Sequence, residues 1–166
     1  MQPLAKRLQP LTKRFRDTGG CIISTHFTLI AGRDGEPLIS PHLRALRPFL
    51  RAGDFSPSSW GHALVDELQP AHFSVEKIAY SAFYMSRLEW VLRKAGVDTL
   101  VFAGITSNGG VSSTVRDAHI REFNCLVLED GCASFDERAH RTAMEALGSV
   151  AEVVTCQNLT HRLGDR

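Results

Sequence analysis

Short apolar runs alternate along this chain with stretches in which apolar residues recur at helical spacing. Leu4, Leu8, Leu11 and Phe15 fall four, three and four apart, which is the period of a helix packed on one face. Pro10 interrupts that series, and proline suits a first helical turn better than an interior, so the pattern predicts a helix from about Pro10 to Asp17 ended by Gly19 and Gly20. CIISTH, 21–26, reads as a buried strand, and HFSVEK, 72–77, as a short one. Ser81 is placed to cap a helix whose inner face carries Tyr84, Leu88, Val91, Leu92 and Ala95, with Gly96 as its stop. TLVFAG, 99–104, and CLVLED, 125–130, are apolar strands, and a helix over about 111–122 lies between them. Asp136 caps a helix with Ala139, Thr142, Ala143, Ala146 and Leu147 on one side, and VAEVVTC, 150–156, is a last strand. Strand and helix alternate, which predicts an α/β chain with a mostly parallel sheet. Between Phe27 and Gly61 the pattern weakens under seven glycines and prolines, leaving a short helix near 42–51 inside a long connection. Such a connection is either a functional lid or a surface excursion.

The totals add limits. A chain of 166 residues, 43% apolar and 22% charged, holds one domain with a real core. A formal net charge of +1 offers no global field for nucleic acid. Lys6, Arg7, Lys13, Arg14 and Arg16 are not followed by the apolar stretch of a secretory signal, and no run approaches the length of a membrane span. Cys21, Cys125, Cys132 and Cys156 form no C-x-x-C pair and read as reduced thiols of a cytoplasmic protein.

In a parallel sheet, ligands bind beyond the carboxyl ends of the strands. Three such ends carry chemistry. GITSNGGV, 104–111, turns from strand to helix. Gly109 and Gly110 allow close backbone approach, the helix start presents free N–H groups to an oxyanion or phosphate, and Thr106, Ser107 and Asn108 add polar side chains. A plain, well-capped β–α connection has the same composition. G-x-S-x-G is not spelled, because Thr106 and Asn108 stand at its serine and second glycine. The dinucleotide fingerprint fails at Thr106, although Gly104, Gly109 and Glu129 mimic it in part. Lys77 closes one strand and suits a substrate carboxylate or developing negative charge, though a single lysine is most often just solvated. His26 closes another strand and is expected at the same rim, as is Asp130 at the end of a third. No histidine or carboxylate pair has ligand spacing, so neither metal nor cofactor is expected.

K-x-x-Y-S-A-F at 77–83, LVFAGITSNGGVSSTVRDA at 100–118 and VLEDGCA at 127–133 together resemble the isochorismatase-like, or cysteine hydrolase, superfamily, over about Leu8 to Cys156. The resemblance implies a three-layer α/β/α sandwich with a six-stranded parallel sheet, a small-molecule substrate and a homo-oligomer. It implies a triad of Asp, Lys and Cys. Lys77 matches the lysine, and Gly110 stands where the cysteine would be. No residue matches the aspartate, which ends a first strand lying between those matching 21–26 and 99–104. That strand is apparently missing, and the expectation is that the natural protein begins upstream of Met1 or that the chain rearranges there. The family also has a cis peptide before the nucleophile turn, here Ile105–Thr106. Isochorismatases proper carry glycine at the cysteine position too and hydrolyse an enol ether without a covalent intermediate. They usually have histidine where this chain has Asn108, and the surrounding sequence is closer to the amidase members. Two expectations follow. One is a hydrolase of a small carboxylate-, amide- or enol-ether-containing metabolite that lacks a thioester step, with Lys77, His26 and the loop Ile105, Thr106, Asn108, Gly109 and Gly110 as its site, and with an acid or base from the missing first strand or a substitute such as Asp130 or His26. The other is a catalytically inactive ligand-binding or assembly protein that keeps the fold and the pocket.

Overall fold

A computed structural model describes residues 2–57 and 59–164, so the ends of the expected single domain, Met1, Asp165 and Arg166, lie outside the described residues, as does Ser58. The elements in chain order are α1 (Gln2–Asp17), β1 (Ile23–Phe27), α2 (Pro41–Leu46), β2 (Phe73–Lys77), α3 (Leu88–Lys94), β3 (Thr99–Ile105), α4 (Ser112–Ile120), β4 (Asn124–Ala133), α5 (Glu137–Leu147), β5 (Glu152–Val154) and α6 (Cys156–Gly164).

The layers follow from strand alternation. Successive side chains of a strand point to opposite faces. Cys125 and Val127 of β4 join a core with Leu88 and Leu92 of α3, Val115 and Ala118 of α4, and Met144 and Leu147 of α5. Leu126 and Leu128, one position out of phase, join Leu8 and Leu11 of α1 and Leu159 of α6. Helices thus cover both faces, giving the three-layer α/β/α sandwich. Every strand pairing is parallel.

The sheet is not one ladder. Among the described residues β1 pairs only with β2, and β3, β4 and β5 form a second sheet in that order, so the five strands described lie in two sheets rather than six in one. β1 and β3 are not bonded to each other, and each keeps an unpaired edge. The apolar strand β3 has no fully buried residue, and Ile105 is 46% exposed. β3 and β4 also part toward their carboxyl ends. Phe102 opposes Val127, whereas Gly104 opposes Cys132, so four residues of β4 bulge out where β3 has only Ala103. Gly104, at φ +122°, makes the turn.

Three sequence expectations need correction. α1 runs through Pro10 from Gln2, because Ala5, Leu8 and Leu11 are buried against the sheet. Burying such side chains stabilises by about 1.5–3 kcal/mol for each leucine, so Leu8 and Leu11 together offset the ~3 kcal/mol that an interior proline costs. The segment around Ser81 is not helical: Met85 takes φ +48°, the Ser81 hydroxyl accepts from the Phe83 amide, and α3 begins only at Leu88 with Arg87 as its N-cap. The pattern also gave no warning of α6, whose buried face comprises only Cys156 and Leu159. By contrast, Asp136 caps α5 through the Ala139 amide at 2.7 Å, and Gly96, at φ +67°, ends α3.

Candidate active site

The site is built where β2 and β3 end. Lys77 is the last residue of β2 and lies opposite Phe27 in the β1 register. Its ammonium sits 5.5 Å from the Phe27 ring centroid and donates to the carbonyls of Ala79 (2.9 Å) and Tyr80 (3.1 Å). Burial pushes its pKa down from 10.5, because desolvation disfavours the charged form. Among the described residues no carboxylate pairs with it.

β3 leads into the turn through a cis Ile105–Thr106 peptide, as the family resemblance implies. Ser107–Val111 then form one wide, π-helical turn that runs directly into α4. Its geometry closes on Thr106, whose carbonyl accepts from both the Gly109 and Val111 amides at 3.1 Å. Those two amides are therefore spent inside the turn, and the anion-receptive set is smaller than the sequence suggests.

The two glycines serve different purposes. A Cβ on Gly109 would stand 2.7 Å from Thr106 Oγ1 and 3.3 Å from the Tyr80 ring, so that position is closed to any side chain unless Thr106 moves. A Cβ on Gly110 would have Lys77 Nζ and the Tyr80 carbonyl at 3.6 Å and the Ile105 carbonyl at 3.8 Å as its nearest neighbours, which is ordinary contact. Gly110 thus leaves a small space that opens on the Lys77 ammonium. Lys77, Tyr80, Ile105, Thr106, Gly109 and Gly110 converge there.

His26, Asp130 and Asn108 do not join them. His26 lies opposite Glu76, one position out of phase with Lys77, and so faces the other side of the β1–β2 ladder. Its ring is held by the His62 carbonyl (2.6 Å) and the Ser24 hydroxyl (2.8 Å). Asp130 caps α6 by accepting from the Cys156 amide at 2.7 Å. Neither is placed as a substitute acid. Asn108 accepts from Ser134 at 2.8 Å and lies on an open groove of about 700 Å³ between α4 and α5 whose lining includes neither Lys77 nor Gly110.

No cysteine replaces the missing thiol. Cys132, the nearest in register to the turn, is buried, donates to the Phe102 carbonyl, and has its pKa pushed up to about 12 by desolvation. Cys156 is likewise raised to about 12, by burial and then by Asp130.

Sequence reasoning missed the parts played by Tyr80 and Arg47, and it named Ser107 only as a polar side chain of the loop. Tyr80 roofs Gly109, and Arg47 stacks on Tyr80 with its guanidinium carbon 4.6 Å from the ring centroid. Arg47 comes from the long 27–61 connection, which is anchored by buried Leu29 and Leu50 and reaches the site through this stack. Ser107, wholly buried, shares a hydrogen bond with His140 Nδ1 at 2.7 Å and ties α5 to the turn. Nothing in the local sequence marks contacts between residues so far apart.

The isochorismatase domain family model matches residues 1–158. Ureidoacrylate amidohydrolase RutB of Methylorubrum extorquens is 37% identical over 115 residues, which are 65% of this chain and 46% of that protein. RutB of Caulobacter vibrioides is 42% identical over 86 residues, 51% of this chain and 38% of that one. The chain thus spans less than half the length of these curated relatives. Among solved structures, a cysteine hydrolase from Pseudomonas syringae superposes with a TM-score of 0.84 at 22% identity, over 98% of this chain and 80% of that one. A pyrazinamidase/nicotinamidase from Streptococcus mutans superposes with a TM-score of 0.76 at 24% identity, over 92% and 86%. These two show a shared fold.

Proposed function

The chain belongs to the isochorismatase family, and from that premise we propose that it is a hydrolase of a small amide- or ureido-containing metabolite, or an enol ether, that works without a covalent cysteine intermediate. The observation that carries this reading is the space at Gly110 beside an unpaired, half-buried Lys77 ammonium. A thiol cannot attack there, so the nucleophile is water. It adds to the carbonyl carbon, or to the carbon of an enol ether after protonation. Lys77 and amides at the start of the turn stabilise the oxygen that gains negative charge. RutB proteins are named for an amide substrate, which favours the C–N bond over the enol ether.

The chemistry also needs a carboxylate to move protons, and among the described residues none stands beside Lys77. The open edges of β1 and β3 favour an additional strand between them, and its carboxyl end would carry that group. The working protein in this reading is a cytoplasmic homo-oligomer. Its four free thiols suit a reducing compartment. None of its described helices is long and apolar enough to cross a membrane.

Turnover of 3-ureidoacrylate, followed as ammonia release with intact-mass analysis of the protein, tests the reading. The expected result is hydrolysis that is lost in Lys77→Ala, with no adduct on any of the four cysteines. An acyl-enzyme on a cysteine would overturn it. The missing carboxylate favours a second reading, a non-catalytic binding protein. Saturable binding that depends on Lys77, without hydrolysis of any amide, ureido or enol-ether compound, would establish that one instead.

A further inference from the structure

We infer that Arg47, stacked on Tyr80, forms a subsite for a carboxylate carried by the ligand of the Gly110 site; the inference rests on the same site as the hydrolase reading but not on turnover. Arg47 is half-buried, yet its guanidinium makes no ion pair and no side-chain hydrogen bond among the described residues. Its backbone is fixed. The Arg47 amide donates to the Leu43 carbonyl at the end of α2, and Pro48 follows. Its guanidinium carbon lies over the Tyr80 ring, 4.6 Å from the centroid. A guanidinium stacked in this way keeps its N–H edges free for the two oxygens of a carboxylate.

Tyr80 connects this cation to the reaction space. One face of its ring roofs Gly109, and its carbonyl accepts from Lys77. One tyrosine therefore touches two cations, Lys77 at its carbonyl and Arg47 at its ring, and among the described residues no carboxylate pairs with either. They divide the work. Lys77, at the turn, faces the group that is hydrolysed, and Arg47, over the Tyr80 ring, holds the acid end of a short monocarboxylate. Tyr80 is half exposed, which leaves it open to a ligand.

The probes are 3-ureidopropionate and its primary carboxamide, which differ in charge at one end only. Their dissociation constants are measured by calorimetry on the full chain, on Arg47→Gln, on Arg47→Lys and on Lys77→Ala. The acid should bind about tenfold or more tighter than the amide to the unaltered protein. Arg47→Gln should bring the ratio to about one by weakening the acid alone, and Arg47→Lys should restore part of it. Lys77→Ala should keep the preference. No preference in the unaltered protein, or a preference that survives Arg47→Gln, overturns the subsite. A preference lost in Lys77→Ala but kept in Arg47→Gln assigns the carboxylate to Lys77 and overturns it as well. Ammonia release, read separately, tests the hydrolase reading, so a binding preference without hydrolysis supports the subsite while rejecting catalysis.

Discussion

Gly110→Cys should be accepted by the fold and should yield a thiol unlike the four native ones. The three atoms nearest the new Cβ lie at 3.6–3.8 Å, and Gly110 does not occupy the left-handed region, so neither the Cβ nor the backbone opposes it. Replacing a glycine in a helical turn gains up to ~1 kcal/mol, so Tm should hold or rise slightly. The new Cβ lies 3.6 Å from the Lys77 ammonium, and a rotamer turned toward it sets the charge separation at about 4 Å. Two unit charges at that distance interact by ~4 kcal/mol at an effective dielectric constant of about 20. Partial solvent exposure reduces this to ~1–2 kcal/mol, or about one pKa unit, from the usual value near 8.5. The thiolate fraction at neutral pH should then rise about tenfold. Iodoacetamide labelling across pH 5–10 with peptide mapping reads the titration directly. Cys132 and Cys156, held at about 12, should stay silent in the folded protein. Adding Lys77→Met should return the introduced thiol to 8.5 or above. A labelling midpoint at or above 8.5 with Lys77 present, or a cooperative unfolding transition lost on substitution, would refute this account of the site.

Gly109→Ala should behave oppositely to its neighbour, because its Cβ meets Thr106 Oγ1 at 2.7 Å; a cost of about 1–3 kcal/mol in urea unfolding is expected, against almost none for Gly110→Ala. Leu147→Ala, at a wholly buried side chain beneath α5, should cost ~2–5 kcal/mol in the same assay. Lys77 is penalised in the fold while charged, because its folded pKa lies below the unfolded 10.5. That penalty is present below the folded pKa and fades as pH rises toward 10.5. The stability of Lys77→Met relative to the unaltered chain should therefore fall between pH 7 and 10.5, as read by denaturant unfolding at each pH.

The sequence by itself determined the class of fold and most of its parts. Alternation in CLVLED assigns Cys125 and Val127 to one layer and Leu126 and Leu128 to the other, and the structure realises both cores. Asp136 and Gly96 mark helix ends because caps are local chemistry, and Lys77 and Gly110 carry the family pattern at fixed spacing. What sequence could not decide was anything settled by burial or by pairing at a distance. Pro10 is tolerated inside α1 because the leucines around it are buried, a fact of packing that the helix period cannot express. His26 and Lys77 both end strands, but register turns one away from the other. Asp130 looks free in sequence and is consumed by a helix start 26 residues on. The division into two sheets, the space at Gly110 and the arrival of Arg47 at Tyr80 depend on contacts between segments with no shared local signal. Local propensity and periodicity are written in the order of residues, whereas register, free space and the pairing of charges exist only once the chain has closed on itself.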